Sequence, residues 1–361
     1  MPDRMALERL GRMNRRQLLQ AGLAAPLLLS GTARAQAPVF IGDMHFHSFF
    51  ADSKYHSRPV AATFAAGAAT LVAWSIVADL LWIKPSPRGI DQTSVPKVGE
   101  PLGWFEREIA RVKAHIAEQG LKIVREPGDV DQALKGVPHV VLAVEGSNFI
   151  EDDPGRVKLA YDLGVRHLQL VHYTRNTIGD FQTEKPELGG LTELGTKVVR
   201  ECNRLGILID LAHLTPDATA TALSLSKVPV VWSHGSVTRS ATPHWSMVAW
   251  RARQLTLAGA QAIANKGGVV GLWAFAPDVG RTVEAYAQRM TEMAGWLGEN
   301  HVAFGTDING LGTHALLSTY AEVRRVVETW QRQRVGEPRV RKLAIENYAR
   351  VLKQALAARQ G

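Results

Sequence analysis

Six mainly apolar runs in this chain each end on a residue able to hold a divalent cation or a proton. They are DMHFH at 43–47, VVLAVE ending at Glu145, LQLVH at His172, LIDLAH at His213, VVWSH at His234 and VAFGTD at Asp307. Neutral imidazole nitrogen and carboxylate oxygen suit zinc and similar ions, and a hydrolytic site needs such ligands plus an open position for water. Alternate residues of a strand share a face, so His45 and His47 should point one way while Met44 and Phe46 point the other. A lone histidine after an apolar run is ordinarily a core or rim residue. Six such ends in order describe a binuclear metal site.

Elements that could position these ends follow from the apolar pattern. Eight runs read as strands, at 39–47, 69–77, 139–145, 166–172, 207–213, 228–234, 268–275 and 301–307. Amphipathic helices alternate with them, the pattern of a parallel (β/α)8 TIM-type barrel. Phe105, Ile109, Val112 and Ile116 recur at helical spacing, with Gly120 placed to end the helix, and a second helix starts near Thr192 and stops before Gly206. The run LKIV at 121–124 falls outside the barrel, cut off from the next strand by the helical pattern of Val130 to Leu134. Polar or Gly/Pro-rich stretches at 48–60, 84–103, 178–191 and 235–253 lie where barrel enzymes carry their substrate loops.

Composition bounds the rest. The 361 residues are 46% hydrophobic and 21% charged, ordinary for one large α/β domain. Residues 1–35 differ. Arg15 and Arg16 lead into the apolar AGLAAPLLLSG and then Ala33, Arg34 and Ala35, the layout of a twin-arginine signal peptide cleaved after Ala35. The apolar stretch is shorter than the ~20 residues a spanning helix needs and contains Pro26, which argues against a stable membrane anchor. The expected product is a single catalytic barrel over 36–361, handed to the twin-arginine export machinery and released to the periplasm or medium. Six arginines against Asp3 and Glu8 leave with the signal, so half of the formal +8 charge goes too. What remains, without a basic run interleaved with aromatics, is no case for nucleic acid. Cys202, the sole cysteine, excludes an intrachain disulfide and reads as a small buried apolar residue.

The chain resembles the membrane (renal) dipeptidase family of the amidohydrolase superfamily. The resemblance lies in DMHFH, AVEG at 143–146, LVHYTRN at 170–176 with IGD at 178–180, and GGLTELGTKVVRECNRLGILIDLAH at 189–213. It continues through PVVWSHGS at 229–236, RQLT at 253–256, HVAFGTDINGLG at 301–312 and ENYARVL near the C terminus. It implies two divalent metal ions, zinc by expectation, with His45, His47, Glu145 and Asp307 around one, and Glu145, His213 and His234 around the other. Glu145 would bridge them about 3.5 to 4 Å apart, and a shared hydroxide would attack the amide of a small dipeptide. It further implies that Asp307 orients that nucleophile and carries its proton to the leaving amine, that His172 stabilises the oxyanion rather than ligating, and that Arg253 holds the substrate's carboxylate. Arg239 and Arg251 lie near enough in sequence to compete for that last role. A homodimer is expected from the family alone.

Asp43 is a candidate partner for a ligating imidazole, while Asn176 and Asp180 read as loop-ordering residues. One departure stands out: the family has aspartate where this chain has His47. The site thereby loses one negative charge, which should make the metal pair more electropositive and loosen the first ion. Two other readings fit the same residues. One is an amidohydrolase of this fold acting on another amide, lactam or ester; the other is a non-catalytic metal-binding or partner-binding protein.

Overall fold

The computed structural model describes residues 38–48, 59–87, 89–239 and 248–360. The expected signal segment, most of the 48–60 loop and part of the 235–253 loop lie outside the described residues. Among those described, no helix is long and apolar enough to cross a membrane.

Eight parallel strands close on themselves. In chain order they are β1 (Ile41–Phe46), β2 (Ala69–Val77), β3 (His139–Glu145), β4 (His167–Gln169), β5 (Leu208–Asp210), β6 (Val231–Trp232), β7 (Val269–Leu272) and β8 (Val302–Phe304). Each pairs with its neighbours around a ring in the order β2-β1-β8-β7-β6-β5-β4-β3, and β2 against β3 completes it. The longest seam pairs Leu71–Val77 with His139–Glu145 residue by residue. All eight expected strands are present, several shorter at their C-terminal ends than the apolar runs. The excluded run contributes a two-residue strand, Lys122–Ile123, which pairs with the start of β3 beside the ring.

Between strands the chain returns through helices α1 (Val60–Gly67), α2 (Glu100–Glu118), α3 (Pro127–Leu134), α4 (Arg156–Leu163), α5 (Glu193–Leu205), α6 (Pro216–Leu225), α7 (Leu257–Asn265) and α8 (Val283–Leu297). After β8 come α9 (Tyr320–Arg332) and the C-terminal α10 (Asn347–Ala357). Local chemistry sets their ends. Thr192 accepts the amide of Gly195 at the start of α5, and Gly206, at φ 73°, takes the left-handed turn that ends it. The expected apolar stripe of α2 is buried, and so is Cys202.

Two apolar layers hold the barrel. Outward-facing Trp74, Leu142, Leu168 and Phe304 pack under the helices. Met44, Leu71, Ala73, Val141, Ala143 and Ala303 form an inner cluster with Tyr348, Leu352 and Ala355 of α10. A side chain on Gly42 would meet Ile345, and one on Gly206 would meet the Ala355 carbonyl. The C-terminal segment thus stops the N-terminal end of the barrel and leaves the opposite end for chemistry.

β1 does not alternate as expected. Phe46 faces outward against Phe64 and Trp74, whereas Met44 joins the inner cluster, and the pairing of β1 with β2 shifts register between Asp43 and Phe46. The irregularity turns Asp43 away from the imidazoles. Its carboxylate accepts the amides of His45 (3.2 Å) and Thr306 (2.9 Å), the Thr306 hydroxyl (2.5 Å) and the Tyr320 phenol (2.8 Å). Asp43 therefore ties β1 to the end of β8 and to α9, and the role of imidazole partner passes elsewhere.

Candidate metal centre

All six expected ligands converge at the C-terminal mouth of the barrel. Glu145, the last residue of β3, stands at the centre. Its Oε1 lies 3.4 Å from the Nε2 atoms of His45, His213 and His234, and its Oε2 3.5 Å from His47 Nε2. The imidazoles form two pairs, His45 with His47 at 3.0 Å and His213 with His234 at 3.1 Å between Nε2 atoms. Asp307 Oδ1 stands 3.4 Å from His47 Nε2. His45, His47 and Asp307 form one metal-competent group, and His45, Glu145 and His234 another.

The donor set fits a divalent cation. With metal–ligand bonds of about 2.0–2.1 Å, two ligands of a tetrahedral site stand about 3.3–3.4 Å apart, close to the separations here. The imidazoles are also fixed from behind. His47 Nδ1 is 2.9 Å from the Ser75 carbonyl, which can only accept, so that nitrogen carries the proton and Nε2 keeps its lone pair for the centre. His45 Nδ1 is held by the Ser75 hydroxyl (3.1 Å) and His234 Nδ1 by the Ser233 hydroxyl (2.9 Å). Ser75 and Ser233 were missed in the sequence; Ser233 directly precedes a strand-end histidine, whereas Ser75 lies on β2, which carries no ligand, and had no local signal.

Electrostatics agree with ligation. Burial would raise the Glu145 pKa, but the imidazoles of His172 and His45 and hydrogen bonds from His213 and His45 hold it well below the ordinary carboxylate range. Burial, with the Arg253 cation nearby, drives His213 well down, and burial with His45 and Arg253 does the same to His234. Both therefore stay neutral with free lone pairs. Burial opposes charge on His47 too, yet Asp307 and Glu145 outweigh it and raise its pKa.

Backbone strain marks two of the ligands. His213 (φ 73°) and Asp307 (φ 56°) are left-handed without being glycine, a conformation that persists where surrounding contacts impose it. The strands stop their ladder two or three residues before these side chains, which turns them into the mouth.

His172 belongs to the same cluster, with Nε2 3.3 Å from Glu145 Oε1. Its Nδ1–H is accepted at 2.6 Å by Asp79, a buried residue just after β2, which fixes the ring and leaves Nε2 toward Glu145. Burial disfavours charge on His172, but Asp79 and Glu145 together raise its pKa. With Glu145 and His213 the ring forms a third metal-competent group, and when protonated its Nε2 is a donor able to face an oxyanion. Asp79 also accepts the amides of Tyr173 and Thr174 (3.1 and 2.8 Å). Nothing in its sequence surroundings marked it.

The three candidate arginines separate clearly. Arg239 is exposed and paired with Glu292, and exposed Arg251 lies over the Trp250 ring. Arg253 alone is buried, 1% exposed, with Nη1 on Gln182 Oε1 (2.9 Å) and Nη2 on the His234 carbonyl (3.3 Å). Asn176 and Asp180 order their loop as expected. Asn176 accepts the Ile178 amide, and Asp180 those of Glu187, Leu188 and Gly190.

Fold and site together define a metal-binding (β/α)8 barrel. The chain belongs to the membrane dipeptidase family, peptidase family M19, whose model matches residues 92–361. That match begins beyond His45 and His47, so the first ligand pair stands on the geometry. Among curated relatives, the chain is 26% identical over 248 residues to the dipeptidase tcpJ of Claviceps purpurea, covering 67% of this chain and 54% of that protein. It is 30% identical over 175 residues to the dipeptidase verJ of Clonostachys rogersoniana, covering 47% and 43%. The chain thus spans about half the length of these relatives. Two solved structures share the fold. A metallopeptidase from Rhodobacter sphaeroides, bound to a phosphinate mimic of the dipeptide L-Ala-D-Ala, superposes with a TM-score of 0.71 at 21% identity over 88% of this chain and 99% of that one. PvdM of Pseudomonas aeruginosa, described as a probable dipeptidase, gives 0.72 at 16% identity over 96% and 100%.

Proposed function

We propose that this chain is an exported dipeptidase that holds two divalent ions, zinc the expected metal, and hydrolyses the amide bond of small dipeptides bearing a free carboxylate. One observation carries the reading: two imidazole pairs and Asp307 gather around a single buried carboxylate, Glu145, with a buried arginine close by. Family membership and the curated dipeptidases it resembles support it.

Two ions held there would supply Lewis acidity and an activated water. The protein's own groups divide the remaining work. Asp307, the most exposed of the six at 8%, stands at the approach to the site and is placed to take the proton of the attacking water and return it to the leaving amine. His172, oriented by Asp79, donates from Nε2 to the carbonyl oxygen as negative charge develops. Arg253 receives the terminal carboxylate.

Export rests on residues 1–35: the Arg15–Arg16 pair, a short apolar stretch and the small residues before Gln36 support a twin-arginine signal and a periplasmic or secreted product. Homodimerisation is part of the reading and is tested by sedimentation. The deciding experiment loads residues 36–361 with zinc and assays L,L- and L,D-dipeptides beside Asp307→Asn. Turnover should fall by roughly 10²- to 10⁴-fold in the variant. Activity that survives the substitution refutes the role of Asp307, and bound metal without hydrolysis of peptides, lactams or esters would indicate a binding protein.

A further inference from the structure

We propose that the Tyr173 hydroxyl is a substrate-selecting group that, with Arg253, binds the terminal carboxylate and discriminates against substrates that lack it. The proposal rests on the dipeptidase reading and adds to it a residue that no part of that reading requires.

Arg253 presents an unanswered charge. It is almost wholly buried, its two ordered partners are the neutral Gln182 side chain and the His234 carbonyl, and Nε has no partner. Among the described residues no carboxylate lies within ion-pairing distance of it. A buried cation without an anion is costly to fold, and the cost is offset when an anionic ligand arrives. Tyr173 belongs to the same cluster: its ring packs on His213, which pairs with His234, whose carbonyl holds Arg253, and the phenol and guanidinium interact electrostatically.

Tyr173 is held more firmly than a loop residue ordinarily is. Its amide donates to Asp79, the carboxylate that also fixes His172, and its ring packs edge-on against His172 (4.5 Å between centroids) and His213 (4.9 Å). It is nevertheless part-exposed, unlike the imidazoles it touches. The ring therefore stands between His172 and the expected metal ligand His213, on the cluster whose His234 carbonyl holds Arg253. A phenol has one proton to give and lone pairs to receive. When its oxygen accepts from the guanidinium, its own O–H is polarised and free to donate outward. Guanidinium N–H and phenol O–H side by side form a two-donor seat for a carboxylate, whereas a carboxamide would bring its NH₂ donors against donors.

Tyr173→Phe removes the hydroxyl and keeps the ring packing. The test compares alanyl-leucine with alanyl-leucinamide as substrates, and their ketomethylene isosteres as calorimetric ligands, on zinc-loaded wild type and variant. The expected result is a KM for the free acid, and a Kd for its isostere, raised roughly 10- to 100-fold, with kcat and all values for the amide unchanged. Arg253→Lys should lose the same acid-over-amide preference. Preference is a ratio measured on one sample, so a lower folded fraction leaves it unaltered. An equal loss for acid and amide, or a fall in kcat at constant KM, overturns the proposal. If wild type hydrolyses neither compound the dipeptidase reading falls, and the binding ratio still decides the carboxylate seat.

Discussion

Replacing Gly310 by alanine should disable the site from a residue that carries no functional group. Gly310 does not lie in the left-handed region, so its demand for glycine is one of space. A Cβ there would stand 2.9 Å from both the Asp307 carboxyl carbon and His47 Cδ2, and would overlap the Asp307 Oδ1 atom. Carbon atoms normally settle about 3.5–4.0 Å apart, so the carboxyl carbon would have to retreat by roughly 0.6–1 Å and the overlapped Oδ1 by more than about 1 Å. The backbone offers it little freedom, because the Asp307 amide is bound to the His45 carbonyl (3.0 Å) and its carbonyl to the Gly310 amide (3.0 Å). Misplacement of a reacting group by ~1 Å costs about 10²-fold in rate, and overpacking of this kind costs about 1–3 kcal/mol of stability. The assay is kcat/KM of the zinc-loaded Gly310→Ala enzyme with metal content and Tm measured in parallel. In an Asp307→Asn background the alanine should add less than its full loss of rate, because the two changes share residue 307 while the His47 contact remains. Turnover within about two-fold of wild type, with metal retained, would refute the claim that glycine is needed to seat Asp307.

Other expectations follow from the same contacts. His47→Asp restores the family's carboxylate at the first metal position. It should tighten zinc binding and move the acid limb of the turnover profile to higher pH, and unchanged zinc affinity and pH profile would remove the argument from lost charge. Metal-free protein should be most stable near pH 6.5. Glu145, His213 and His234 have depressed pKa values in the fold, so their contributions are present above their unfolded values and are lost as pH falls; His47 and His172 have raised values, so theirs are present below 6.5 and are lost as pH rises. Thermal melts of the chelated protein from about pH 4 to about pH 9 would test this, and a monotonic trend would contradict it.

Much of the site was legible because strand ends are a one-dimensional property. An apolar run and the residue that closes it depend on local pattern, and the common direction of strands in a parallel barrel carries all such closing residues to one mouth. The ends at His47, Glu145, His172, His213, His234 and Asp307 could therefore be collected at one mouth from their positions alone, whereas their division into ligands and a substrate-facing His172 came from the family resemblance. The supporting residues were less visible. Ser75 and Ser233 looked like ordinary strand residues, Asp79 like a turn residue, and Tyr173 like part of a motif.

The eight strands, the alternating helices and the metal-competent side chains were all readable from periodicity and strand ends, which are written in adjacent residues. Folding in three dimensions settles which imidazoles pair, that Arg253 rather than Arg239 or Arg251 is buried beside them, and that Asp43 braces strands instead of a ligand. Each of those outcomes depends on side-chain direction. A register shift in β1 and left-handed backbone at His213 and Asp307 set that direction, and contacts between segments 100 or more residues apart, such as Asp43 with Thr306 and His47 with Asp307, hold it.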